Sequence, residues 1–260
     1  SHLDVMCLLM MSPKIVILTN DWVWNNPFYG AIIRAAEFYP ISDGIDKNTK
    51  RLKDLVARGY SVVVFPEGTR EIEIDIMRFH QGAFTLAKVL QLDILPVMIH
   101  GLVDVLPKRD FMLRRGKITL EVHKRMPADE IQKCEVMSLT KTWHKWYVEQ
   151  YGVMSRRIED VNYWLPYVRY NYMYKSYGVN SYCKKSLNEV VNKKSCLDRY
   201  FRSDGSIVIE NSGYGEVAIL LALANPQNEV YAYAPDTDSY AISMNVNIRP
   251  QNVHFLNKNI

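Results

Sequence analysis

The chain has 260 residues, of which 48% are hydrophobic and 23% charged, and a net charge of +4. That balance excludes a disordered or fibrous chain, and the charge is too small to argue for nucleic acid, for which no module is present. The mild excess of basic groups suits an anionic lipid surface or an acidic substrate without requiring either.

The predicted elements alternate through the first half. Val5 to Met11 is an apolar run too short for a signal peptide, and a strand, Ile15 to Leu18, follows it. Pro27 to Phe38 has helical spacing, with Phe28, Ile32, Ala35 and Ala36 on one face. Tyr39 to Ile41 is a short strand. Ile45 to Arg58 is an amphipathic helix whose inward face carries Ile45, Leu52, Leu55 and Val56, and Gly59 ends it. Tyr60 to Val64 is a buried strand, Gly82 to Leu90 a helix, Ile94 to Ile99 a strand, and Lys117 to His123 an alternating strand. This alternation predicts an α/β layered fold.

After Pro127 the pattern changes. A helix is expected from Val136 to about Tyr151, carrying Trp143, Trp146 and Tyr147. Tyr163 to Tyr182 is dense in tyrosine with Lys and Arg interleaved, which suits either packing between domains or a membrane interface. From Ser206 a second strand–helix–strand pattern begins. Ile207 to Ile209 is a strand, Asn211 to Gly215 a glycine turn, Glu216 to Ala224 a helix, and Val230 to Tyr233 and Val253 to Leu256 are further strands.

The densest chemistry lies in Phe65-Pro66-Glu67-Gly68-Thr69-Arg70. Pro66 ends the preceding strand because it has no N–H for the ladder. Gly68 permits a tight turn and close approach of backbone to a ligand. The polar residues are then displayed at the C-terminal end of a strand, where open α/β sheets keep their ligands. Arg70 has the fork geometry for a phosphate or carboxylate. The alternative is an ordinary strand exit with a surface salt bridge.

This hexapeptide resembles the phosphate-binding block of the glycerolipid acyltransferases, the lysophosphatidate (PlsC-like) family. Ser1-His2-Leu3-Asp4 is similar to the end of that family's His-x-x-x-x-Asp motif. Phe28-Tyr29-Gly30 with Phe38 to Ile41 stands where its second block lies, and Leu95 to Gly101 resembles its fourth. Phe79 with Gly82 to Ala87 resembles the helix that follows the phosphate block. The resemblance covers about the first half of the chain.

It implies transfer of a fatty acyl group from acyl-CoA or acyl carrier protein to the hydroxyl of a lysophospholipid or glycerol-phosphate-like acceptor. It also implies work at the cytosolic face of a membrane, without a metal or other cofactor. Asp4 would orient the catalytic histidine, which register places just upstream of Ser1. The alternatives are that His2 acts with Asp4, or that Asp4 caps a helix. Phe65, Pro66, Glu67, Gly68, Thr69 and Arg70 would bind substrate, with Arg70 on the phosphate. The chain departs from the family in having Ser42-Asp43-Gly44 where an arginine is usual. Arg78 and His80 either compensate or form a solvated basic face. His100 is read as a buried histidine rather than a catalyst.

The segment from Ser206 resembles the opening of a class I S-adenosylmethionine-dependent methyltransferase. Gly213 and Gly215 would then be cofactor-binding glycines. Here too the chain departs: Ile209, Asn211 and Ala234 stand where an acid, a glycine and a ribose-binding acid are expected. Fusions of an exporter-type membrane protein, such an acyltransferase and a methyltransferase occur in some bacteria, and the chain is expected to be a segment of one. A non-catalytic lipid-binding scaffold is the alternative.

The expected fold class is therefore α/β. Residues 1–130 would form an acyltransferase-like mixed sheet flanked by helices. Residues 131–202 would be a helical, tyrosine-rich linker, and 203–260 a truncated Rossmann-like βαβαβ segment. Cys7, Cys134, Cys183 and Cys196 lack metal-ligand spacing and are expected to be reduced thiols. No apolar run reaches the ~18–20 residues that cross a bilayer.

Overall fold

The computed structural model describes residues 2–19, 39–40, 44–68, 76–106, 113–193 and 205–257. The chain forms two compact units, Ser1–Val153 and Met154–Ile260. The helix expected over Pro27 to Phe38 lies outside the described residues.

The first unit opens with α1 (His2–Met11), β1 (Ile15–Thr19), β2 (Tyr39–Pro40), α2 (Gly44–Ala57) and β3 (Ser61–Val63). The three strands form a parallel sheet in the order β2-β1-β3, with Val16 opposite Val62. Parallel neighbours need a crossover connection, and α2 lies between β2 and β3 in the chain. Strand side chains alternate between faces. Val16 therefore packs with Leu52, Leu55, Leu86 and Leu90, while Ile15 and Ile17 pack with Leu8 of α1. Burial on both faces is why β1 reads as an unbroken apolar run. Gly59, with φ +83°, ends the turn after α2, as its place after a helix implies.

Then follow α3 (Gly82–Leu90), β4 (Val97–His100), the one-turn α4 (Leu102–Val105), β5 (Thr119–Val122), α5 (Ala128–Lys133) and α6 (Val136–Ile158). β4 and β5 pair antiparallel, from Val97 opposite Val122 to His100 opposite Thr119. Among the described residues, parallel and antiparallel pairs thus occupy separate small sheets rather than one mixed sheet. β4 begins later than the expected Ile94, because Pro96 has no amide to donate. Ile94 instead makes a lone bridge to Met126, exchanging two 2.9 Å backbone hydrogen bonds. α6 runs seven residues past the expected end at Tyr151, through Gly152, and the boundary between the units falls inside it.

The second unit contains α7 (Val161–Asn171), α8 (Tyr177–Asn192), β6 (Ile207–Ile209), α9 (Glu216–Ala224), β7 (Val230–Ala234), α10 (Thr237–Met244) and β8 (Val253–Asn257). Its strands are all parallel, in the order β6-β7-β8. α9 is apolar nearly all round because it is buried all round. Ala218, Ile219, Leu220 and Leu221 share a core with Tyr163, Trp164, Tyr167 and Tyr172 from the tyrosine-rich segment. Asp160 caps α7 by accepting from the Tyr163 amide at 2.8 Å.

Candidate functional site

The site is built where the chain leaves β3. The Gly68 amide donates to the Phe65 carbonyl at 3.1 Å, closing a turn around Pro66 and Glu67. The His80 amide donates to the Pro66 carbonyl at 2.8 Å, and the Met77 amide donates to Glu67 Oε2 at 3.0 Å. Residues 76–80 are thereby laid back against the turn. Gly68 has φ +69°, and a Cβ there would lie 2.9 Å from His80 Cδ2, so glycine is required both for conformation and for space. Thr69 and Arg70 lie outside the described residues.

Burial pushes the Glu67 carboxyl above the usual carboxylate range, while the Met77 hydrogen bond and the nearby His144 imidazole pull it down. Tyr147 is pushed up to about 12, chiefly by burial and also by the Glu67 charge, against the Val97 amide. It is therefore a neutral phenol at ordinary pH.

The turn borders a cavity of about 760 Å³ within the first unit. Phe65, Pro66 and Glu67 lie on its rim with Asp4 and Leu8 of α1, and β3, β4 and α3 supply apolar walls. α6 closes it with Trp143, Tyr147 and Tyr151, three aromatics spaced by four residues and so on one helix face. Trp143 packs on Phe84 and Tyr147 packs edge-on against Phe79, which orients that face. The sequence puts Trp143 and Tyr147 on a helix but does not point to them as site residues. The four-residue spacing was the available signal, but only tertiary contact shows which face it meets.

Asp4 lies in the first turn of α1, whose first helical residue is His2. The alternative reading of Asp4 as a helix cap is therefore not what the structure has, although a carboxylate there still favours the helix dipole. The His2 side chain lies outside the described residues. His100 ends β4, is buried, and sits beside Tyr151 with ring centroids 5.7 Å apart, in keeping with a core histidine. Arg78 and His80 are exposed. Arg78 lines a separate small cavity of about 190 Å³ with Lys141 and His144. Cys7, Cys134 and Cys183 carry free thiols. Among the described residues no His/Cys/Asp/Glu group could hold a metal, and no helix is long and apolar enough to cross a membrane.

In the second unit the Gly213-Tyr214-Gly215 turn has φ of +56° and +86° at its glycines. A Cβ at Gly213 would lie 2.8 Å from Tyr182 Cε1, and one at Gly215 would lie 2.6 Å from Phe255 Cε1 and 2.9 Å from Ser243 Cβ. The close approach that these glycines permit is taken up by the unit's own side chains. Asp236, two residues past the position of the expected ribose-binding acid, caps α10 by accepting from the Ser239 amide at 2.7 Å. Glu216 is buried, and its Oε2 accepts from the Tyr214 amide at 3.1 Å, bracing the turn from within.

Comparison with known proteins bears on the first unit. Residues 1–100 match the family model described as Acyltransferase. This stretch is acyltransferase-like. Over 85 residues the chain is 33% identical to a 1-acyl-sn-glycerol-3-phosphate acyltransferase of Chlamydomonas reinhardtii, covering 32% of this chain and 26% of that protein. It is 29% identical over 91 residues to the human 1-acyl-sn-glycerol-3-phosphate acyltransferase beta, covering 35% and 33%. It is 26% identical over 129 residues to the chloroplastic LPAT1 of Arabidopsis thaliana, covering 48% and 36%. The chain thus spans between about a quarter and just over a third of the length of these relatives. The crystal structure of the 1-acyl-sn-glycerophosphate acyltransferase PlsC from Thermotoga maritima aligns at TM-score 0.39 and 21% identity, covering 51% of this chain and 56% of that one. The acyltransferase-like stretch contains Asp4, the Phe65–Gly68 turn, α3 and β4, and therefore most of the cavity rim.

Proposed function

We propose that the first unit serves O-acyl transfer from an acyl-CoA or acyl-carrier-protein thioester to the hydroxyl of a lysophospholipid or glycerol-phosphate-like acceptor. The observation that carries this reading is that Asp4 and Glu67, far apart in sequence, border one largely apolar cavity. In the reaction the acceptor oxygen bonds to the thioester carbon, the C–S bond breaks, and the hydroxyl proton passes through a base to the leaving thiolate. A histidine at the motif position, upstream of Ser1 by register, would be that base, and Asp4 would orient its ring. The Gly68 turn and Arg70 would receive the acceptor's phosphate. Glu67 would orient the loop through the Met77 amide, and the apolar walls would take the acyl chain.

The test is acyl transfer from labelled acyl-CoA and acyl carrier protein to a panel of lysolipids, using the full gene product beside its Asp4→Ala and Arg70→Ala variants. Transfer that is lost in both variants supports the reading. Absence of transfer by a folded full-length protein with every donor and acceptor would overturn it in favour of a lipid-binding scaffold.

A further inference from the structure

The tyrosine-rich segment divides into two sets, and the core explains only one of them. Between Val161 and Asn188 there are eight aromatic residues, four basic residues and no acid. Tyr163, Trp164, Tyr167 and Tyr172 are buried against α9. Tyr174 and Tyr177 face outward where α7 turns into α8, while Tyr170 is half-buried. Tyr177 is 90% exposed, Tyr174 77% and Met173 53%, and Tyr182 is also exposed. Tyr182 also packs edge-on against Tyr214, but Met173, Tyr174 and Tyr177 leave most of their surface exposed, and such patches mark interaction sites.

The corner is braced. Ser176 caps α8 by accepting from the Val179 amide, Asn180 Nδ2 donates to the Met173 carbonyl at 3.1 Å, and Lys175 Nζ donates to the Asn245 carbonyl at 2.7 Å. Tyr174 stands edge-on to Tyr170 with centroids 6.0 Å apart. Along α8, Val179, Cys183 and Leu187 face the core. Lys184 and Lys185 are exposed; Lys184, seven residues from Tyr177, shares its face of α8, and Lys185, three residues from Tyr182, lies beside that residue. Glu189, the first acid beyond the segment, acts on Tyr182 from the far end of the helix.

We propose that the Met173–Tyr177 corner, with Lys184 and Lys185, docks onto a lipid surface bearing anionic headgroups. Tyrosine is suited to the interface between headgroups and acyl chains, because its ring is apolar and its hydroxyl is wet. Met173 adds an apolar tip at the apex, and the lysines meet the surface charge. A base-stacking surface would share the tyrosines and lysines but gains nothing from an exposed methionine. The choice of lipid also rests in part on the phospholipid acyl-transfer reading of the first unit. Vesicle binding is measured without turnover, so the two readings can fail separately.

The experiment is co-sedimentation of the full chain with vesicles of phosphatidylcholine alone and of phosphatidylcholine with phosphatidylglycerol in equal parts. Binding is expected on the anionic vesicles. It should weaken about fivefold for each of Lys184→Gln and Lys185→Gln, and by about tenfold or more in Tyr174→Ser/Tyr177→Ser. These side chains are exposed, so the variants should keep the parent's melting curve. In a Tyr177→Trp variant, brominated lipid should quench the added fluorescence. Failure to bind anionic vesicles overturns the proposal. So does binding that all these variants leave unchanged, or capture of a single-stranded oligonucleotide in place of vesicles.

Discussion

Glu67 and Met77 are joined by a 3.0 Å hydrogen bond from backbone amide to carboxylate, which ties the turn after β3 to the segment that leads into α3. The bond makes Glu67 an organiser of the loop whatever else it does. Glu67→Ala should lower stability by about 1 kcal/mol, the ordinary net worth of one such bond. Glu67→Gln, which retains an acceptor, should cost less. Urea melts of the two variants read the difference, and equal melts would mean that the bond is not formed in solution.

Gly68→Ala should disturb the same loop by a different route. Its φ of +69° costs an alanine about 1 kcal/mol, and His80 must also give way to the new methyl group. His80→Ala in the Gly68→Ala background removes the crowding but not the dihedral cost, so rescue should be partial. Thermal melts of the single and double variants measure both effects.

In the second unit the two turn glycines should differ. Gly215→Ala drives a methyl group into Phe255 and Ser243, both packed in the sheet core, and should cost about 3 kcal/mol or more. Gly213→Ala meets Tyr182, which is exposed and can swing aside, so a cost of about 1 kcal/mol is expected. Denaturant midpoints rank them, and the reverse order would mean that the turn is packed differently.

Glu216 predicts a pH dependence. Burial is the main cause that raises its carboxyl above the ordinary 4.5, against hydrogen bonds from Ser186, the backbone and Cys183. A carboxyl raised by folding holds its proton more tightly folded than unfolded. Its contribution to stability is therefore fully present below the unfolded value and is lost as pH rises through the folded one. Glu216→Gln removes that dependence. The stability of the variant minus that of the parent should climb with pH from about 4.5 upward and then level off. A flat difference curve would show that Glu216 is solvated.

Among the described residues β6 pairs only with β7, and its Val208 is 56% exposed. An apolar strand edge invites intermolecular pairing. Val208→Lys should reduce self-association of the chain in concentration-dependent light scattering while leaving its melting curve unchanged.

Local rules were enough for much of this molecule. Helix α3 and strand β6 fall where periodicity and turn residues put them, Gly59 takes the positive φ that its place after α2 demanded, and the Phe65–Gly68 turn was marked by Pro66 and Gly68 themselves. These features depend on dihedral preference and on apolar spacing within a few residues, both written in the chain. Three outcomes were not. Asp4 lies inside the first turn of α1 rather than at its cap, the alternative reading; β4 starts after Pro96, and α6 continues through Gly152. Element ends depend on which backbone groups find partners in space, as Ile94 found Met126. The cavity and the closed glycine turn of the second unit lie further still from sequence. Tyr147 reaches the Glu67 loop, and Phe255 fills the space beside Gly215, through contacts between residues distant in the chain. Composition and spacing therefore determined the layered α/β character and the residues worth watching. Tertiary packing decided which of them share a cavity, because close-packed side chains from distant segments compete for the same volume.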